Sequence, residues 1–218
     1  MTPDYFESFV DQLKNRLGHP LPGKEAQIKM APQPIDERRF REDPERPAKL
    51  GGVMVLLYPD ENGIHIPLMK RPVYDGAHSG QVSFPGGKLE EQDNDLIETA
   101  LRETFEEIGV AKEQVEVIGN LSELFIIASN FKVLPTVGVV REKPLFVPDP
   151  IEVVDVLPFS LTALNDMSIR KVKEMRFPPY KIYSPYFDVR GEVVWGATAM
   201  MLSELAELIN EMGPTFQK

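Results

Sequence analysis

The chain contains no cysteine. Disulfide bonds, a thiol nucleophile and every cysteine-based zinc site are therefore excluded. Histidine is nearly as scarce, and His19, His65 and His78 share no ligand spacing. Positive charge is in deficit, with 24 Lys and Arg against 34 Asp and Glu and a formal net charge of −10. That balance argues against a protein built to grip a nucleic-acid backbone. No apolar run is long enough to span a bilayer, so no membrane partner is expected. The start, MTPDYFESFVDQL, carries acids where a signal peptide has a basic leader and an apolar core. A cytoplasmic location is the expectation. Internal repeats and low-complexity tracts are absent as well.

What the 218 residues do contain is 42% hydrophobic side chains, enough for one domain with a substantial core plus an N-terminal extension. The expected division is an N-terminal helix and Pro-rich connector over 1–48, followed by a domain over 49–218. Phe6, Phe9, Val10, Leu13 and Leu17 have helical spacing, and the helix they predict docks either on the core or on a second subunit. Pro20, Pro22, Pro32, Pro34, Pro44 and Pro47 then mark an extended connector. Its Arg38, Arg39 and Arg41 are either solvated loop charges or anchors for a substrate phosphate. Strands are expected over 50–58 and 64–71, around the hairpin turn Asp60-Glu61-Asn62-Gly63. Further β-rich runs cover 115–128 and 131–140, and a short strand over 151–157 stops before Pro158. A last helix over 199–212 ends at Gly213-Pro214. Strands interleaved with helices predict the α/β class, a mixed β-sheet covered on both faces.

The stretch GGKLEEQDNDLIETALRETFEEIGV, from Gly86 to Val110, carries the chemistry. Glu103, Glu106 and Glu107 are spaced i, i+3, i+4, which on a helix places them within an arc of about 100°. Ile97, Leu101, Thr104 and Ile108 form a separate stripe that would bury the helix against a core. Like charges at i, i+4 give a helix nothing by themselves, so a compensating cation is expected. Magnesium or manganese suits clustered carboxylates better than a softer metal. The bland reading is a solvated face, because Glu98, Arg102 and Glu106 also form a ladder of alternating charge. The glycine pair upstream tips the balance. After Phe84-Pro85, Gly86 and Gly87 permit a positive φ or the close approach of another group. Asp93 or Asp95 is placed to cap the helix, and Asp95 with Glu98 has capping-box spacing.

With those residues in place, the chain resembles the Nudix hydrolase superfamily. Arg102, Glu103, Glu106, Glu107, Gly109 and Val110 match the second half of its box. In the first half, Gly87 to Arg102 is one residue longer than the general pattern, Asp93 stands where Glu is usual, and Thr104 takes an apolar slot. The preceding LMKRPVYDGAHSGQVSFPGG is similar to the element before the box in coenzyme A pyrophosphatase-like members, matching at Arg71, Gly80, Val82, Phe84, Pro85, Gly86 and Gly87. That family also has a longer first half of the box. Pro72 and Gly76 depart from its Ser and Arg, and the segment Trp195 to Ala199 resembles its late WGATA-like motif.

The resemblance implies a Nudix-like αβα sandwich and a hydrolase that needs Mg²⁺ or Mn²⁺. The reaction would be attack of water on the diphosphate of a nucleotide derivative, most readily coenzyme A or acyl-coenzyme A, giving 3′,5′-ADP and 4′-phosphopantetheine or its acyl form. ADP-ribose or another nucleotide derivative is the alternative, and a catalytically silent nucleotide-binding module the reading from a different class. Glu103, Glu106 and Glu107 would hold metal, with the Gly87 carbonyl a further ligand. Glu106, Arg102 and Glu152 are the catalytic candidates: Arg102 orienting a box carboxylate, Glu152 as a second metal-facing or base-like acid. Arg71, Gly86 and His78 are the substrate-binding candidates, His78 through either a phosphate or its own loop backbone. Phe125, Phe131 and Tyr186 are either core residues or a platform for a base. A homodimer is what the superfamily suggests.

Overall fold

The computed structural model describes residues 2–36, 47–76, 78–177 and 180–213; Arg38, Arg39 and Arg41 lie outside them. The hairpin signal becomes β1 (Lys49–Asp60) and β2 (Gly63–Lys70), joined through Glu61-Asn62. The Asp60 carboxylate closes this turn by accepting the Asn62 N–H at 2.7 Å. β1 is the organising strand. It pairs antiparallel with β2 at its end and antiparallel with β4 (Gly86–Lys88) at its start. Along nearly its whole length it runs parallel to β7 (Phe131–Val139). The full sheet has the order β3-β2-β1-β7-β5, where β3 is Val82–Ser83 and β5 is Glu116–Asn120. In addition β6 (Leu124–Ile126) pairs with β7, and β8 (Asp155–Ser160) with β2.

Alternate β1 side chains leave the sheet on opposite faces. Val55 and Leu57 enter a core shared with α1 (Pro3–Leu17) and α4 (Gly196–Glu211), whereas Met54, Leu56 and Tyr58 enter one shared with α3 (Leu96–Ile108). Both faces are therefore covered, giving the mixed-sheet αβα sandwich expected for the α/β class. Phe6, Phe9, Val10, Leu13 and Leu17 are all buried in the first of these cores, so α1 docks on its own chain. The short α2 (Gly23–Gln27) is tied to α4 through Glu204. Glu204 is fully buried and accepts from the Gly23 and Ser122 N–H groups and the Gln27 amide.

Several elements depart from expectation. α4 begins at Gly196 rather than Ala199 and is buried on nearly every side. The strand expected over 151–157 instead starts at Asp155 and runs through Pro158, which lies opposite Pro67 of β2. Among the described strands β2 is its single neighbour, and an edge strand tolerates a residue without an N–H. β9 (Arg170–Phe177) and β10 (Tyr180–Val189) were not expected; with β11 (Glu192–Trp195) they form a second, antiparallel sheet.

Candidate active site

The glycine turn works by letting backbones touch. A Cβ on Gly86 would meet the Gly52 carbonyl oxygen and, at 2.6 Å, the Val53 Cα. A Cβ on Gly52 would overlap the Leu96 carbonyl oxygen in the first turn of α3. With neither present, β4 and α3 both lie directly on β1. Asp95 caps the helix, its Oδ1 accepting the N–H groups of Ile97 at 2.9 Å and Glu98 at 2.8 Å. Glu98 returns its bond to Asn94 N–H rather than to Asp95, so the capping box is displaced by one residue. α3 ends at Gly109, in the left-handed region with φ 76°.

Because Gly52 brings α3 so close at Leu96 and Ala100, the buried line runs through Ala100, Thr104 and Ile108, with Thr99 and Glu107 beside it. Ile97 and Leu101, expected in the buried stripe, are only half-buried. Glu107 is thus carried inside, 1% exposed. Its Oε2 accepts the Gly86 N–H at 2.8 Å, and its Oε1 stands 3.3 Å from Arg71 Nη1. The Glu103 carboxylate lies where a Cβ on Gly87 would be. Arg102 gathers the rest. Its Nε and Nη2 donate to the two Asp93 oxygens at 2.9 and 3.0 Å, its Nη1 donates to Glu103 at 2.9 Å and Glu106 at 2.8 Å, and Nη2 also donates to the Lys88 carbonyl. Arg71 extends toward Glu152, 4.0 Å away, while its Nε is buried without a hydrogen-bond partner among the described residues.

The electrostatics follow from that crowding. Hydrogen bonding from Arg102 lowers the Asp93 pKa to about 2, and Asp93 in turn raises that of the guanidinium. Burial pushes Glu107 up to about 8, against the pull of the Gly86 N–H and Arg71, with Glu103 and Glu152 adding repulsion. Glu103 is likewise raised by burial, offset by Arg102 and reinforced by Glu106 and Glu152. Among the described residues no three Asp, Glu or His side chains already converge on one ion position; the carboxylates are turned toward Arg102, Arg71 and the Gly86 N–H. The donor set nevertheless fits a divalent cation. Several carboxylates share a half-buried corner where their mutual repulsion is only partly met by two guanidinium groups, and a hard cation satisfies oxygen ligands of this kind.

One corner of the sheet therefore unites Glu103, Glu106, Glu107, Arg102, Arg71, Gly86, Gly87 and Glu152. His78 stays apart: it takes a positive φ of 71°, and its Nδ1 lies 3.0 Å from Gln81 Oε1 within the same loop. The Phe131 ring lies against Gly51 and beneath the Lys49 ammonium, 5.7 Å from the ring centre. Phe125 and Tyr186 are half-buried on β6 and β10. Thr198, in the late WGATA segment, donates to the Val82 carbonyl at 3.3 Å, so the two segments that flank the box in sequence meet in space. Sequence reasoning missed Asp93 as the partner of Arg102, although it occupies the slot where the box has an acid. It also missed the contact of Arg71 with Glu107, for which no spacing rule gives a signal.

The site is a glycine turn between sheet and helix that gathers Arg71, Arg102, the buried Glu107 and the partly buried Glu103 inside an αβα sandwich. The chain belongs to the Nudix family, the NUDIX domain model matching residues 49–173. It is 36% identical over 197 residues to Nudix hydrolase 15, mitochondrial, of Arabidopsis thaliana, covering 87% of this chain and 67% of that protein. It is also 36% identical over 179 residues to Nudix hydrolase 22, chloroplastic, of the same plant, covering 78% of this chain and 58% of the relative. A bacterial relative, the uncharacterized Nudix hydrolase NudL of Pectobacterium atrosepticum, is 35% identical over 140 residues, 62% of this chain and 69% of the relative. Among solved structures, a Nudix hydrolase from M. smegmatis, RenU, superposes with a TM-score of 0.53 at 14% identity, over 78% of this chain and 89% of that one. This last likeness concerns the fold. Among the described residues no helix is long and apolar enough to cross a membrane.

Proposed function

We propose that the chain hydrolyses the diphosphate of coenzyme A or acyl-coenzyme A, releasing 3′,5′-ADP and 4′-phosphopantetheine or its acyl form, with Mg²⁺ or Mn²⁺ as the cofactor. The observation that carries the hydrolytic reading is the approach of Glu103 and Glu107 to the side-chain-free turn Gly86-Gly87, with burial raising both carboxylates. Coenzyme A is favoured over other nucleotide derivatives by the Arg71-to-Gly87 element and the Trp195-to-Ala199 segment, which meet through Thr198 and Val82.

In this reading Glu103, Glu106 and Glu107 hold the metal together with the Gly87 carbonyl. Bound there, a divalent ion neutralises diphosphate oxygens and lowers the pKa of water. The protein's own groups do the positioning. Gly86 fixes Glu107 through its N–H, and Arg102 orients Glu103 and Glu106 while anchored on Asp93. Arg71 supplies positive charge beside Glu107 for a substrate phosphate, and Glu152 faces the same corner as the outer acid and base candidate. His78 shapes its loop through Nδ1 and Gln81, so a substrate phosphate would be met by the other ring nitrogen, Nε2.

The test is a metal-dependent assay over coenzyme A, acyl-coenzyme A, ADP-ribose, NADH and diadenosine polyphosphates, with product identification. Release of 3′,5′-ADP with the highest kcat/KM on coenzyme A or acyl-coenzyme A is expected. Preferred cleavage of ADP-ribose replaces the substrate assignment, and binding without turnover across the set contradicts the enzyme.

A further inference from the structure

Glu152 is an exposed side chain in a segment without regular structure, 56% accessible, and an acid in that setting has many orientations to choose from. The backbone around it is nevertheless tied down on three sides. Val147 N–H donates to the Ile108 carbonyl at 3.0 Å and Asp149 N–H to the Glu107 carbonyl at 2.9 Å, so the segment seals the last turn of α3. Five residues later Val154 N–H donates to the Lys70 carbonyl at 2.8 Å, next to Arg71. Between these anchors Asp149 closes the turn. Its Oδ1 accepts the Ile151 N–H at 2.7 Å and the Glu152 N–H at 3.2 Å, and its carbonyl accepts the Val153 N–H at 2.9 Å.

We infer that Asp149 is a positioning residue for hydrolysis: it holds the Glu152 backbone so that the Glu152 carboxylate faces Arg71 and the Glu103/Glu107 corner. The inference rests on the reading of that corner as the hydrolytic site. The same segment takes its register from Glu107 and Ile108 at one end and Lys70 at the other, so the outer acid is referenced to the helix carrying the proposed metal ligands and to the strand leading into Arg71. Removing the Asp149 carboxylate frees two adjacent N–H groups of the turn and lets Glu152 swing away. A displacement of the order of 1 Å in a reacting group costs roughly a hundredfold in rate when that group is essential.

A double-mutant cycle tests this in the full chain with its metal supplied. Asp149→Ala is expected to lower kcat at least tenfold with KM changed less than threefold, and Asp149→Asn, which keeps an oxygen to accept both N–H bonds, to restore kcat to within threefold of the parent, all on the order expected for a misplaced acid or base. In a Glu152→Gln background, itself slowed at least tenfold, Asp149→Ala should have almost no further effect on kcat, because residues acting as one unit are not additive. Equal losses from Asp149→Ala in both backgrounds overturn the inference and leave Asp149 a structural residue. A slow Asp149→Asn enzyme overturns it too, as does full turnover of Glu152→Gln, which leaves Asp149 nothing to position. Failure of the site reading itself has a different signature, turnover in the parent chain that is indifferent to the divalent ion. Circular dichroism of each variant, read at the assay temperature, separates slow folded enzyme from unfolded chain.

Discussion

Arg102 grips Asp93 at two points, Nε to Oδ1 at 2.9 Å and Nη2 to Oδ2 at 3.0 Å, with the Asp93 side chain only 3% exposed. The pair spans the turn between the glycine pair and α3, and from it Arg102 reaches both Glu103 and Glu106. Breaking one partner of a buried ion pair typically costs about 3–5 kcal/mol. Arg102→Ala should therefore unfold at markedly lower urea, by at least about 2 kcal/mol, besides losing activity. Arg102→Lys cannot make the two-point contact and should recover less than half of the lost stability.

The same pair predicts a pH dependence. Asp93 titrates lower in the folded chain, near 2, than in the unfolded one, near 4. Its contribution is complete above the unfolded value and disappears as pH falls through the folded one. Urea unfolding of the parent and Asp93→Asn should differ most near neutrality, and the gap should close as pH is lowered from about 5 toward 2. A gap that widens on acidification contradicts the assignment.

Two glycines separate folding from chemistry. Alanine at Gly52 would push into the Leu96 carbonyl, which is helix backbone and has nowhere to go. Gly52→Ala should lower stability by about 2 kcal/mol or more, measured by denaturant unfolding. Alanine at Gly87 meets the movable end of Glu103 instead. Gly87→Ala should keep most of its stability yet lose activity and divalent-ion affinity, because the Glu103 carboxylate is displaced.

Glu107→Gln should retain the fold, since an amide oxygen still accepts the Gly86 N–H and the cost of burying a carboxylate is removed. Its kcat should fall at least about a hundredfold if Glu107 is a metal ligand. Unchanged turnover removes Glu107 from the mechanism.

Much of this was legible in the sequence because the signals were local. The Asp60-Glu61-Asn62-Gly63 turn, the apolar spacing of α1 and the Asp95 cap each depend on neighbours within one or two turns of chain. The buried face of α3 keeps the expected Thr104 and Ile108 but not Ile97 and Leu101, because it is set by Gly52, distant in sequence, which draws the helix inward along Ala100 and Thr104. Pro158 hid the continuation of a strand that was expected to stop before it, because its tolerance depends on β8 having one described neighbour. β9 and β10 pair mainly with each other, and β10 leans on α4; the one local signal in the sequence between them is the dipeptide Pro178-Pro179. Within the site, the glutamates and Arg102 could be read from helical spacing, whereas Arg71 reaches Glu107 from just beyond the end of β2 and Asp149 acts through a segment without regular structure.

The central claim is that Glu103, Glu106 and Glu107 form a cation site beside the Gly86-Gly87 turn. Anomalous diffraction at the manganese edge, from crystals soaked in Mn²⁺, tests it most directly. The account predicts a peak within about 2.5 Å of oxygens from these glutamates, with at least one carboxylate withdrawn from its arginine. Carboxylates still turned to Arg102, Arg71 and the Gly86 N–H, with no peak among them under saturating Mn²⁺, would contradict it.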